Sequence, residues 1–158
     1  MLFRSNPLFA RTEAIIGTPD MKDYTIEADV LGKKAGNVMP SAGVIANRYT
    51  FALFGTSGQL RLISWEAIPR IDESITFPWK PDTWYRLKLT VTVDGDKAVA
   101  RGKIWERGKE EPKEWTLVAN DSLPNLEGAP GLFAHAGPPG GQGAESFFDN
   151  IVITRNKK

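Results

Sequence analysis

Cysteine is absent from this sequence, and histidine occurs only once, at position 135. Without cysteine the chain can form neither a disulfide framework nor a thiolate nucleophile. The absence does not fix the compartment, because a domain of this size can be secreted without disulfides. One histidine also rules out the paired-histidine spacing of zinc hydrolases. The lack of cysteine and the single histidine therefore exclude thiol chemistry and the common zinc motifs.

Net charge and long apolar runs are lacking as well. Twenty basic and nineteen acidic side chains leave a formal charge of +1, which gives no electrostatic reason to expect nucleic acid or an acidic membrane as partner. No apolar run approaches the ~20 residues of a membrane span. The first ten residues, MLFRSNPLFA, lack the sustained apolar stretch of a signal peptide. We therefore expect neither nucleic-acid binding nor a membrane span.

Sustained helical periodicity is missing, whereas alternation with a period of two recurs along the chain. In YRLKLTVTV, which begins at Tyr85, apolar and polar residues alternate strictly, as in a strand with one face on a core. Asp94-Gly95-Asp96 supplies the positive φ of a tight hairpin, and a second strand follows it. YTIEADV, from Tyr24, alternates in the same way. About ten such strands, separated by turn signals, predict an all-β sandwich or barrel.

Size and composition indicate a single folded domain, residues 1–158. The chain is 41% apolar and 25% charged, a composition that can form a core and argues against disorder. We find no internal repeat at a fixed period and no linker that would divide the chain.

Six segments, taken in order, have the character of one known family. They are DYTIEADV, AGVIANRY, FPWKPDTWYRLKLTV, ARGKIWERGKEEPKEWTL, PGLFA and FFDNIVIT. Together they resemble concanavalin A-like (laminin-G-like) jelly-roll sandwiches, most closely the domain at the C-terminal end of bacterial proteins with quinoprotein-type β-propeller repeats. The resemblance implies two curved antiparallel sheets, of which the concave one commonly carries a sugar site. It also implies an extracytoplasmic protein in which a β-propeller domain is a potential partner.

Domains of this superfamily bind carbohydrates, cleave glycosides or decorate larger proteins, so the resemblance leaves three functions open. We expect a non-catalytic carbohydrate-binding module in the first place. A structural or protein-contact accessory domain comes second. A glycoside hydrolase or lyase comes third, because no complete acid/base constellation is visible.

Glu27-Ala28-Asp29 is the closest match to a catalytic motif. Family 16 glycoside hydrolases of this fold use Glu-x-Asp-x-Glu on a strand, and retaining hydrolysis needs two carboxyl groups about 5–5.5 Å apart. Glu27 and Asp29 share a strand face, but positions 31 and 32 are Leu and Gly, so the third acid is missing. We expect a solvated strand face rather than a catalytic centre.

Aromatic side chains are the main indication of a binding site. Five tryptophans exceed what a core of this size needs, and exposed aromatic rings stack on the C–H faces of sugars while polar side chains bind the hydroxyls. The alternative is that each tryptophan fills the core or a sheet edge, as we expect of Trp79 and Trp115. The predicted ligand-binding residues are Asn47, Arg48, Tyr49, Arg61, Trp65 and Trp84, with His135 as a further candidate.

His135 lies in LFAHAGPP, at the end of a predicted strand and beside the glycine-rich stretch AGPPGGQG. An imidazole can orient a ligand or transfer a proton. No serine and aspartate in a recognisable motif accompany it. The alternative to a binding role is a histidine that anchors the loop.

Asp149 is the candidate metal ligand. Simple alternation groups it with Ile151 and Ile153, and a carboxylate near a core must be paired, hydrogen-bonded or bound to a cation. The resemblance implies that a structural Ca²⁺ near the last strand is a candidate cofactor, and calcium takes 6–8 oxygen ligands. The alternatives are a carboxylate that accepts backbone N–H groups and a strand bulge that turns Asp149 outward.

Overall fold

The computed structural model describes residues 11–64, 69–136 and 143–156. Within these ranges the backbone forms eleven strands and no helix. No helix in the described ranges therefore has the length and apolar character needed to cross a membrane. The strands are β1 (Thr12–Ile15), β2 (Tyr24–Lys33), β3 (Ser41–Ala46), β4 (Tyr49–Phe54), β5 (Gln59–Ser64), β6 (Asp72–Thr76), β7 (Tyr85–Asp94), β8 (Lys97–Glu106), β9 (Leu117–Asp121), β10 (Gly131–His135) and β11 (Glu145–Arg155).

These strands form two antiparallel sheets. The six-stranded sheet has the order β1-β10-β3-β4-β5-β6, and the five-stranded sheet has the order β11-β2-β7-β8-β9. One apolar core between them contains side chains from both sheets, such as Val44 and Leu53 from the first and Ile26 and Leu89 from the second. The fold is the two-sheet antiparallel jelly-roll sandwich that the sequence predicts.

The β7–β8 hairpin follows the alternation read from the sequence. Tyr85, Leu87 and Leu89 are buried, whereas the intervening Arg86 and Lys88 lie on the outer face and are only partly buried. Its turn contains Gly95 with a φ of 59°, the left-handed conformation that a tight hairpin requires. The alternation was sufficient to predict this hairpin, because one face of its strands is buried and the other faces outward.

β11 departs from simple alternation at Asn150. Asp149 pairs with Asp29 and Val152 pairs with Glu27, so β11 contains one more residue than β2 over this stretch. Asn150 has a φ of 48°, which marks a β-bulge. The bulge places Asp149 on the outer face, and the grouping of Asp149 with inward-facing isoleucines is therefore wrong.

β6 and β9 are the strands at the ends of their sheets. β9 ends at Asp121, whose buried carboxylate accepts a hydrogen bond from Tyr49.

Two glycines permit close packing of aromatic rings. A Cβ on Gly102 would lie 2.5 Å from Cε2 of Phe51, whose ring reaches across from the other sheet. A Cβ on Gly32 would lie 2.5 Å from Cζ2 of Trp79. Trp79 is buried, in agreement with the structural position expected of it.

Candidate binding face on the six-stranded sheet

The outer face of the six-stranded sheet carries an apolar cluster of its own. Strand register places Phe133, Gly43, Ala52 and Arg61 in one row across β10, β3, β4 and β5. Gly43 and Ala52, in the middle of the row, carry no side chain and a methyl group, whereas Phe133 and Arg61 at its ends carry large side chains. A floor of small residues between large neighbours favours a depression. The cluster consists of Ile45, Ala52 and Phe133, with Phe54 packed against it.

A cavity of about 340 Å³ lies beside this cluster, and we call it the Phe54 cavity. Its described lining combines two aromatic rings, three hydroxyl side chains and three basic side chains, and it includes no carboxylate. The rings of Phe54 and Phe133 are neighbours, with centroids 5.8 Å apart. The described lining residues are Arg11, Ser41, Phe54, Thr56, Ser57, Arg61, Phe133 and His135.

Arg61 is held at the edge of the Phe54 cavity by two contacts. Its Nε and Nη2 donate to Asp72, at 3.1 Å to Oδ1 and 2.6 Å to Oδ2. Its guanidinium carbon lies 5.0 Å from the centroid of the Phe54 ring, a cation–π distance. The remaining Nη1 group donates no hydrogen bond to any described residue. Arg61 is therefore positioned in advance and keeps one donor group for a ligand.

His135 ends β10 in register with Ser41 of β3, and both line the Phe54 cavity. Burial lowers the pKa of the His135 imidazole, and the positive charge of Arg11 lowers it further. The ring is consequently neutral near pH 7, with one nitrogen that donates and one that accepts.

A second cavity, of about 350 Å³, continues along the same face, and we call it the Arg48 cavity. Arg11 lines both cavities, so they are neighbours, and Arg11 also forms an ion pair with Glu13. Arg48 is exposed and has no ion pair or hydrogen bond with the described residues. The described lining residues are Arg11, Glu13, Ile15, Pro19, Ile45, Arg48, Thr50, Gly128 and Ala129.

The two-residue turn between β3 and β4 separates the roles of Asn47 and Arg48. Their φ values of 47° and 62° indicate the paired left-handed conformation of a type I′ turn. Arg48 faces solvent, whereas Asn47 is buried and donates its backbone N–H to the Tyr24 hydroxyl at 3.0 Å. Asn47 is absent from the described lining of both cavities, and it anchors the turn instead.

Tyr49 lies in the core, on the opposite face of the sheet from both cavities. Its hydroxyl donates to Oδ2 of Asp121 at 2.8 Å and accepts the N–H of Asn125 at 3.2 Å. Burial, together with the hydrogen bond to Asp121, raises the pKa of Tyr49 to about 12. The prediction that Tyr49 lines a ligand cleft is wrong, because alternation along β4 directs this side chain inward.

Trp84, one of the two predicted tryptophans, does not line either cavity. Trp65 lies outside the described residues. Trp84 directly precedes β7 of the five-stranded sheet, and the Arg107 guanidinium carbon lies 5.3 Å from its ring centroid. Arg61 lies in β5 of the other sheet, and Trp84 is absent from the described lining of its cavity. Among the predicted residues that the structure describes, Arg61 and His135 line the same cavity, with Arg48 in the adjoining one.

Glu27 and Asp29 share the outer face of the five-stranded sheet, where cations pair with both. Arg86 donates to Oε2 of Glu27 at 3.0 Å and to Oδ1 of Asp29 at 3.1 Å. Lys88 lies 3.4 Å from the other oxygen of Glu27, and Asp29 is buried. The motif therefore forms an ion-pair network with Arg86 and Lys88.

Asp149 also belongs to this network. Nη1 of Arg107 lies 3.3 Å from its Oδ2, and the N–H of Asn150 donates to its Oδ1 at 2.9 Å. In the described parts of the chain no three histidine or acidic side chains are grouped as metal ligands would be. These are the contacts of an ion pair, so calcium at Asp149 stays a prediction without support from the described residues.

Several lining residues of the Phe54 cavity were missed, chiefly Phe54, Phe133 and the hydroxyls of Ser41, Thr56 and Ser57. A signal for them exists in the sequence. AGVIANRYTFALF is apolar at both parities, which indicates strands whose two faces are both covered. The second apolar face of these strands is the signal that points to Phe54 on the outer face.

No protein-family model and no curated protein sequence matches the chain. Solved structures do resemble it. The Caenorhabditis elegans galectin LEC-6 aligns with a TM-score of 0.50 and 10% identity over 89% of this chain and 95% of the galectin. Sheep galectin-11, in complex with glycerol, aligns with a TM-score of 0.52 and 8% identity over 91% of this chain and 96% of the galectin.

A bifunctional GH43-CE protein from Bacteroides eggerthii gives a TM-score of 0.52 and 10% identity over 94% of this chain but only 23% of its own length. These neighbours are concanavalin A-like jelly rolls, so the fold implied by the sequence resemblance is confirmed. At such identities the likeness concerns the fold alone.

Proposed function

We propose that this chain is a non-catalytic carbohydrate-binding module that uses the outer face of the six-stranded sheet. The observation that carries the proposal is the pair of cavities that adjoin at Arg11 on that face. Together they give a saccharide of more than one residue a continuous place to lie. The galectin neighbours support the proposal by analogy of fold.

The chemistry of the Phe54 cavity suits a saccharide. An aromatic ring offers a surface for the C–H face of a sugar, and Phe54 is half-buried rather than fully covered. Ser41, Thr56 and Ser57 offer hydroxyl groups, while Arg61 and His135 offer N–H donors.

Catalysis has less support on this face. Retaining glycosidases need two carboxyl groups about 5–5.5 Å apart, and the described lining of the Phe54 cavity contains none. The one carboxylate in the described lining of the Arg48 cavity, Glu13, is paired with Arg11. Binding without bond cleavage is the function that these side chains support.

A glycan array followed by titration calorimetry, each with and without Ca²⁺, tests the proposal. We expect saturable binding that Phe54→Leu weakens roughly tenfold through loss of ring stacking. Phe147→Leu is the matched control, because Phe147 lies on the opposite sheet beneath a cation, with Lys33 Nζ 5.3 Å from its ring centroid. Equal loss in both variants, or no binding to any glycan, contradicts the proposal. A requirement for Ca²⁺ would support the calcium prediction.

The second candidate function is a protein-contact accessory domain. Three large apolar side chains, Val118, Leu123 and Leu126, are exposed on β9 and the loop after it. Absence of glycan binding combined with association that Leu123→Ser and Leu126→Ser abolish would favour it.

Location and parent context rest on the sequence resemblance. We propose that the chain works outside the cytoplasm, as part of a larger bacterial protein with a β-propeller domain. Fractionation of cells that express the full-length gene tests this, and a cytoplasmic product contradicts it.

A further inference from the structure

We infer that the saccharide bound in the Phe54 cavity is anionic, with a carboxylate or a sulfate ester group, an inference that rests on the proposed carbohydrate-binding function. The sequence alone gives no hint of this, because the net charge is only +1. The inference comes from the distribution of donors and charges on one face.

Every ionisable side chain in the described lining of the Phe54 cavity is basic. They are Arg11, Arg61 and His135. The carboxylates that pair with the two arginines, Glu13 and Asp72, are absent from this described lining. A ligand group in the cavity therefore meets the donor side of each pair, while the two carboxylates contact the far side of their arginines.

Arg61 is prepared for an anionic group in particular. Asp72 and the Phe54 ring fix the plane of the guanidinium, so little side-chain entropy is lost when a ligand binds. Its Nη1 group, which has no described partner, can form a charge-assisted hydrogen bond, and such bonds are about twice as strong as neutral ones.

The hydroxyl of Ser41 adds a further donor. Its Oγ accepts the backbone N–H of Gly55 at 3.3 Å, which leaves the hydroxyl hydrogen free to donate. Together with Nη1 of Arg61, this hydroxyl offers two donors to a ligand in the cavity. A carboxylate or sulfate group, which only accepts, satisfies this set better than a sugar hydroxyl, which also brings a donor.

The Arg48 cavity adds a further cation on the same face, and the one carboxylate of its described lining, Glu13, is paired with Arg11. Arg48 is an exposed cation with no partner among the described residues, and its cavity adjoins the first one at Arg11. A polymer with an acidic group on successive sugars would place a second anion near Arg48. We therefore expect longer acidic oligosaccharides to bind more tightly than the monosaccharide.

Titration calorimetry with matched saccharides tests the inference. The probes are an oligogalacturonate and its neutral methyl ester, and a sulfated oligosaccharide and its desulfated counterpart. We expect at least one acidic form to bind tenfold or more tightly than its neutral partner, with affinity that falls as NaCl is raised. Preference for the oligogalacturonate over its methyl ester identifies a uronate ligand, and preference for the sulfated oligosaccharide over its desulfated counterpart identifies a sulfate ligand.

Three variants locate the effect. Arg61→Gln should remove most of the acidic preference, whereas Arg101→Gln, the same charge change on the outer face of the five-stranded sheet, should leave it unchanged. Asp72→Asn keeps the guanidinium and removes its partner carboxylate, so it should retain or increase the preference. Thermal unfolding of each variant shows whether a loss reflects unfolding instead.

Failure of this inference and failure of the proposed function give different results. Equal binding of acidic and neutral forms overturns the anionic inference and leaves carbohydrate binding standing. No binding to any saccharide overturns both. An acidic preference that Arg101→Gln abolishes and Arg61→Gln does not would overturn the assignment to the Phe54 cavity.

Discussion

Tyr24 and Tyr49 are buried phenols that join separate parts of the chain by hydrogen bonds. The Tyr24 hydroxyl donates to the carbonyl of Gly128 at 2.6 Å and accepts the N–H of Asn47. Burial raises the pKa of each tyrosine to about 12, whereas an unfolded chain releases these protons near pH 10. Stability should therefore fall as the pH rises above 10, by about 2–3 kcal/mol per tyrosine at pH 12.

Denaturant unfolding at pH 8, 10 and 11.5 measures this loss. Tyr24→Phe and Tyr49→Phe should each cost about 1–2 kcal/mol at pH 8, because a buried partner group is left unpaired. Each should also reduce the alkaline slope, and the difference from the unaltered chain separates tyrosine from lysine titration. An alkaline slope that neither substitution changes would contradict the prediction.

Gly102 allows the Phe51 ring to cross between the sheets. Because a Cβ at this position would lie 2.5 Å from the ring, Gly102→Ala should destabilise the fold by about 1–3 kcal/mol through overpacking. Gly143→Ala is the control, since no described residue lies within 4 Å of a Cβ there. Equal free energies of unfolding for the two variants would show that the ring moves aside without cost.

At the scale of elements, Arg86 connects three features of the five-stranded sheet. It binds Glu27 and Asp29 of β2 and also donates to the backbone carbonyl of Asn150 in the bulge, at 2.9 Å. The Asp29 side chain is only 4% exposed, and its other oxygen, Oδ2, lies 3.4 Å from Nε of Arg107 and accepts a hydrogen bond from Asn150 at 2.7 Å. Arg86→Met should destabilise the fold by about 3 kcal/mol, because it breaks the buried pair and leaves Asp29 with the more exposed Arg107 as its cation among the described residues.

Two comparisons sharpen that measurement. Arg101→Met, on the same outer face and without an ion pair to any described residue, should change stability by less than about 0.5 kcal/mol. The double substitution of Arg86→Met with Asp29→Leu should recover much of the loss, because no buried charge remains. Failure of the double variant to recover stability would mean that Arg86 acts through packing rather than charge.

The strands could be predicted because alternation is a local property, and the β7–β8 hairpin shows this. The bulge at Asn150 was one of the alternatives for Asp149 and could not be chosen from the sequence, since one inserted residue leaves no mark on composition and shifts every later side chain by one face. The grouping of Trp84 with Arg61 depended on information of a different kind. Which strands share a sheet is set by long-range pairing that no local pattern contains.

At the scale of the whole molecule, the chain passes several times from one sheet to the other. β1, β3–β6 and β10 form one sheet and β2, β7–β9 and β11 the other, so the chain crosses the core repeatedly. Neither sheet corresponds to a continuous segment that could fold by itself, and a single core joins their inner faces. The two sheets should therefore unfold together.

Guanidinium unfolding followed in parallel by far-UV circular dichroism and tryptophan fluorescence tests this cooperativity. We expect one transition with the same midpoint for both signals, as in a two-state domain. Leu53→Ala in the six-stranded sheet and Leu89→Ala in the five-stranded sheet remove fully buried side chains, and each should cost about 2–5 kcal/mol. Because the core is shared, each substitution should lower the midpoint of both signals by the same amount. If Leu53→Ala instead separated the two transitions, the six-stranded sheet would be a unit that unfolds independently, and its outer face could open to a ligand without loss of the other sheet.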